Sequence, residues 1–215
     1  MKKPLVSLLF ATTLLAAPAY AAGPGTPAPR AAAAKAATPY TLQPQLSTLG
    51  WAAKAVTHGH NGTVQFSTGE LLVSGNQLVG GTVTVNMKTL KATDITDAEN
   101  NGKFMGHLTS DDFFATAKYA TASFKITKVT PIKGAGATAN NATIAGELTI
   151  KGITKPLRFP AKVGVKNGVA AATGTATVNR THYDIKYGSK SFFEGIGDKA
   201  IYDDFTLSFN VIAKQ

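Results

Sequence analysis

Apolar and polar residues alternate with a period of two through segment after segment of this chain. Between 62 and 69, Val64 and Phe66 share one face and Gln65 lies opposite. Between 80 and 90, Val83, Val85 and Met87 stand against Thr82, Thr84, Asn86 and Lys88. Phe124 and Ile126 oppose Lys125 and Thr127; Leu148 and Ile150 oppose Glu147, Thr149 and Lys151. Leu157, Phe159, Ala161, Val163 and Val165 oppose Arg158, Lys162 and Lys166, and near the end Phe205, Leu207, Phe209 and Val211 oppose Thr206, Ser208 and Asn210. Successive side chains of a strand point to opposite faces, so each segment has one apolar and one wet face. Turn residues fill most gaps, among them Ser74-Gly75-Asn76 and Lys166-Asn167-Gly168. Long helical stretches are missing. The expectation is an all-β chain of about eight antiparallel strands, as a barrel or a sandwich. A barrel of about eight strands either fills its interior with side chains or holds one small ligand.

The start of the chain reads as an export leader. Met1-Lys2-Lys3 is basic, Pro4 to Ala17 is apolar and uncharged, and Ala19-Tyr20-Ala21 suits a signal peptidase. Residues 1–21 are therefore expected to be a signal peptide, and the expected address is the periplasm or the medium. Residues 22–39 are almost wholly Ala, Pro, Gly and Thr, which reads as a flexible tether. The folded domain is then expected to span 40–215. The chain has no cysteine, so its core must hold without disulfides. Lys and Arg exceed Asp and Glu by 22 to 12, a formal charge of +10, but the excess is spread along the chain. Nothing in its distribution suggests nucleic acid; the excess reads first as a solvated exterior, with transient contact with an anionic membrane surface as the alternative.

One stretch, residues 107–124, departs from the strand pattern. Ser110 reads as a helix N-cap, with Asp111 and Asp112 suited to the positive end of the helix dipole. Phe113, Phe114 and Ala117 would form the apolar side of a short helix closing one end of a barrel, before a strand begins near Ala122. Asp94, Asp97, Glu99 and Asn101 with Gly102 are spaced wrongly for an EF-hand and read as an exposed acidic loop. His58-Gly59-His60 puts two histidines on one strand face, a spacing that can suit a metal, yet the bland reading is that His60 hydrogen-bonds backbone or borders a cavity mouth. No metal or cofactor is expected. No nucleophile elbow or dinucleotide fingerprint occurs, so the chain is not expected to be an enzyme.

Several motifs together carry a resemblance. His107 to Phe114, then Lys118-Tyr119-Ala120-Thr121-Ala122-Ser123-Phe124, then Gly146 to Pro156, then Asn179-Arg180-Thr181-His182-Tyr183-Asp184-Ile185 resemble the signatures of the YceI-like proteins. Trp51, Lys54, His60 and Gly62 fit as well, and the matches run in order through 40–215. Ala120 stands where the family often has proline, and Ser189 to Asp203, with Phe192 and Phe193, looks like a longer late loop. The resemblance implies a lipocalin-like, extended barrel in the periplasm, enclosing an apolar tunnel for a polyisoprenoid or comparable lipid such as a quinone tail. The candidate lining is then Val64, Phe66, Val83, Val85, Met87, Phe113, Phe114, Phe124, Ile126, Leu148, Ile150, Phe159, Val178, Phe205, Leu207 and Phe209. Lys54, His60, Arg180 and Tyr183 are candidates for a polar mouth, although Arg180 could equally pair with Asp184 or Asp204. Part of the inward face is expected to be packed core and part tunnel, with small residues such as Ala161, Ala176 and Ala213 leaving room. The resemblance also suggests a homodimer, by pairing of exposed edge strands. Two rival functions remain: an envelope interaction module with a filled barrel, or an enzyme acting on a lipid in the tunnel, which would need an ionisable pair inside it.

Overall fold

The computed structural model of the chain describes residues 36–215. The expected leader and nearly all of the expected tether lie outside the described residues. The first strand already begins at Thr38.

The strands are β1 (Thr38–Leu42), β2 (Thr48–Ala55), β3 (Gly59–Ser74), β4 (Gln77–Ala92), β5 (Thr121–Pro131), β6 (Ala142–Ile150), β7 (Ile153–Lys166), β8 (Val169–Asn179) and β9 (Ile201–Lys214), with one α-helix, α1 (Ala98–Thr109), between β4 and β5. Each strand from β2 to β9 pairs antiparallel with the next, and β9 returns to β2, so eight strands close into a barrel. The short β1 pairs with both β3 and β9 beyond the reach of β2, so β1 and β2 together form one broken stave. At the break, Ser47 Oγ donates to Gln43 O at 2.8 Å and accepts the Ile212 amide at 3.0 Å. Closure confines free backbone edge to parts of strands, so among the described residues the edge available for the pairing expected for a homodimer is short.

The expected inward faces point inward, but not in one unbroken phase. In β3, Val64 and Phe66 face in, the register shifts between Phe66 and Thr68, and the inward positions continue as Leu71 and Val73. An extra residue on one strand reverses the side-chain phase beyond it, which is what a bulge does. β5 shifts likewise between Ile126 and Lys128.

One end of the barrel is capped by chain that is not strand. Here β4 pairs with β5 only over Gly81–Asn86, and β7 pairs with β8 only over Ala161–Lys166, so the wall parts in two places. The helix α1 packs against β4, and the 3-10 turn Arg180–Tyr183 packs against β7 and β9. Tyr183 and Ile185 are buried there at 2% and 0% exposure.

The covering helix lies upstream of its expected place. Asp97 caps it, its carboxylate accepting the Asn100 amide at 2.8 Å, with Glu99 in the first turn. The stretch expected to be an acidic loop thus opens the helix. Ser110 ends it: the Ser110 amide and hydroxyl both donate to His107 O. The chain then folds back, with Phe114 N donating to Leu108 O and Thr116 N to Thr109 O. Ala115 takes φ 46 in this reversal, a left-handed conformation that no helix through Phe113 and Ala117 could contain.

Candidate functional site: an apolar tunnel

The interior is not filled. A cavity of about 150 Å³ runs within the barrel, lined from β2 to β9 and by Phe114 from the cap. Ser123 is the one polar residue in its lining. Away from it, Tyr40, Leu42, Val73, Leu78, Ala161 and Ala213 are buried in the core outside the cavity lining. Of the three small residues expected to leave room, Ala176 borders the cavity, while Ala161 and Ala213 lie in the packed part.

The expected lining residues all border the cavity except Phe113 and Val178. Val178 is ordinary core, opposite Phe205 in the β8–β9 register. Phe113 turns outward against the His107 and Tyr187 rings, with centroids at 4.9 and 5.5 Å. Its neighbour Phe114 turns inward and meets Phe205 edge-on at 6.5 Å. The adjacent phenylalanines thus serve different sides of the cap.

Aromatic rings organise one wall. Phe159 stands 5.4 Å from Phe124 and 5.3 Å from Phe209. Two glycines make this possible. A Cβ on Gly146 would stand 2.5 Å from the Phe124 ring, and one on Gly174 would stand 2.9 Å from the Phe209 ring. Leu49, Val83, Phe124, Leu157, Leu207 and Phe209 line the cavity yet are only half-buried: each packs against the core on one side and borders space on the other. Trp51, the sole tryptophan of the chain, also lines it; its indole N–H donates to Lys91 O at 3.1 Å and its ring stacks on Phe104.

None of the four residues expected at a polar mouth lines the cavity. Lys54 is exposed on the outer face of β2. His60 Nδ1 meets Asp94 Oδ2 at 2.8 Å, and its ring lies 4.4 Å from Phe104, one layer behind Trp51. Burial alone would raise the Asp94 carboxyl, but hydrogen bonds from His60 and the Asn61 amide outweigh it and hold it below its ordinary range. Arg180 is buried and structural. It donates to the backbone carbonyls of Ile185 (2.9 Å), Tyr187 (2.8 Å), Ile201 (3.0 Å) and Tyr202 (3.0 Å). Its carboxylate partner is Asp203, at 3.5 Å, and neither Asp184 nor Asp204. Tyr183 is buried beside it, and burial pushes its phenol up to about 12.

Several lining residues escaped the sequence reading. Leu71 lies beyond the shift in β3 and Leu90 beyond the regular run of β4, so neither continues the alternation that flags its neighbours. Ala172 gives no signal, because a small side chain beside a cavity looks like any other small side chain. The arrangement offers no ionisable pair within the lining. It can hold an apolar chain and exclude water from it.

Comparison with known proteins agrees with this geometry. The YceI-like domain model matches residues 40–213. A UPF0312 protein of Vibrio parahaemolyticus is 36% identical over 95 residues, covering 41% of this chain and 48% of the relative; the match therefore spans about half of that relative's length. The crystal structure of Burkholderia cenocepacia BcnA superposes with a TM-score of 0.61 at 18% identity, covering 80% of this chain and 99% of the other. A polyisoprenoid binding domain from Saccharophagus degradans, implicated in plant cell wall breakdown, gives 0.54 at 14% identity, covering 81% and 97%. At these identities the likeness is one of fold.

Proposed function

We propose, because this chain belongs to the YceI-like family, that it is a lipid-binding protein which sequesters a polyisoprenoid or a similar long-chain lipid, such as a quinone tail. The protein carries or stores that lipid in the periplasm after export and performs no chemistry on it. The observation that carries the reading is the cavity itself, apolar on every side but for Ser123. The polyisoprenoid binding domain of similar fold supports it.

Leaving water is worth about 0.8 kcal/mol per buried CH₂, so each five-carbon unit contributes about 4 kcal/mol before ordering costs. In another protein an empty apolar cavity of comparable size stays dry and accepts a benzene-sized guest. A cavity of about 150 Å³ therefore takes a short stretch of tail as it stands. A longer tail enters as the half-buried lining side chains, Phe124 and Phe209 foremost, rotate aside. An unfilled interior counts against the filled interaction module, and an apolar lining counts against lipid chemistry within it.

The test uses Trp51, which reports on its own cavity. Isoprenoid quinones of increasing tail length should quench its emission saturably, with affinity rising along the series. Ala176→Leu, which fills the cavity with an apolar side chain, should weaken binding. Emission that ignores every tail length would refute the reading.

A further inference from the structure

We infer that the segment 186–202 is a membrane-docking element, which seats the capped end of the barrel on an anionic phospholipid bilayer. This rests on the lipid-carrier reading, because a cargo of that kind resides in a bilayer and has to be taken from one.

The observation is a pair of adjacent aromatic side chains held in water by ordered backbone. Phe192 and Phe193 are each 50% exposed, and Tyr187 and Tyr202 are exposed at 47% and 53%. The exposure is built into the fold. The single Arg180 guanidinium ties together both stems of the segment through the carbonyls of Tyr187, Ile201 and Tyr202, and Ile201 N donates to Gly188 O at 2.7 Å. At the tip, Ser189 is fully buried, and its carbonyl accepts the amides of both Phe192 and Phe193. Ser191 Oγ donates to Asp203 Oδ2 at 2.6 Å. A turn with this many bonds could have aimed the rings at the core, yet it presents them to solvent. Exposed apolar clusters of this kind mark interaction surfaces.

Charge and position favour a bilayer as the occupant. Lys186 holds its ammonium 5.2 Å over the Phe192 ring while pairing with Asp184 at 2.7 Å, so the cations left for phosphates are Lys190 and Lys199, exposed nearby. Glu194 and Asp198 lie in the same segment, so its own charge is nearly balanced; the chain's formal +10, less the two charges of Lys2 and Lys3 in the expected leader, supplies the longer-range attraction to an anionic surface. Rings beside lysines match a membrane interface, where apolar bodies enter and ammonium groups meet phosphates. The patch also adjoins the tunnel. Tyr187 meets Phe113, Phe113 neighbours Phe114, and Phe114 lines the cavity.

The experiment is flotation of the exported protein, without the expected leader 1–21, with vesicles of phosphatidylethanolamine and phosphatidylglycerol, comparing the parent with F192S/F193S. The parent should float with these vesicles, less so as salt rises. The variant should partition about tenfold less or worse, with an unchanged melting temperature and an unchanged Trp51 response to a detergent-solubilised quinone. A parent that stays off the vesicles, or a variant that binds them equally, would overturn docking. So would vesicle-free self-association lost in the variant, which would assign the patch to a second copy. A Trp51 signal that ignores the quinone while vesicle binding still needs the phenylalanines would instead defeat the carrier reading and leave docking standing.

Discussion

Arg180 gathers the carbonyls of Ile185, Tyr187, Ile201 and Tyr202 onto one buried guanidinium. Burial lowers its pKa and the Asp203 charge works against that; Asp203 in turn, which burial alone would raise, is held low by Ser189, Ser191 and Arg180. Arg180→Met should destabilise the fold by about 3 kcal/mol, because several buried carbonyls lose their donor. Arg180→Lys should recover little, since an ammonium cannot reproduce the fork. Urea unfolding midpoints measure both, and a Met variant as stable as the parent would contradict this role. Tyr183 gives a second expectation. Its phenol titrates at about 12 in the fold, against about 10 unfolded. The fold favours the neutral form, so this contribution is whole below pH 10 and is lost as pH rises from 10 towards 12. Tyr183→Phe should flatten that alkaline fall in stability. The importance of both residues was legible in the Asn179-to-Ile185 motif. Their roles were not, because sequence does not say which carbonyls a guanidinium will meet.

Strands were legible where they obey a period of two, and their lining was missed where a shift reverses the phase, as at Leu71. The helix was harder. Its sequence, AENNGKFMGHLT, contains two glycines and two asparagines, poor helix formers, and Asp97 as N-cap is the local signal that opens it. Asp97→Ala should therefore cost about 1 kcal/mol, read as a lower melting temperature; no change would mean that packing on β4 alone holds the helix. The reversal after α1 separates the two phenylalanines by role. Phe114→Asp should weaken lipid retention sharply, since it places a charge in the lining. Phe113→Asp should spare retention and loosen the contact with His107 and Tyr187. Equal losses of bound lipid from both variants would contradict the assigned orientations.

At the scale of the molecule, eight strands close a barrel whose one end is packed and whose other end is capped by helix and loop. An all-β, antiparallel chain could be read from periodicity, because a half-buried sheet writes its two faces alternately along every strand; a barrel rather than a sandwich followed only from the family resemblance. Whether the interior is filled could not be read, because it depends on how ring rotamers, glycine clefts such as Gly146, and small residues such as Ala176 sum in three dimensions. The cavity that results is the centre of this account. The most direct test is native mass spectrometry of the protein purified from its host, followed by organic extraction and identification of the released mass. The account predicts a bound species with a long isoprenoid-type tail. A protein that emerges empty, and takes up no long-chain lipid when offered a series of tail lengths, would contradict it.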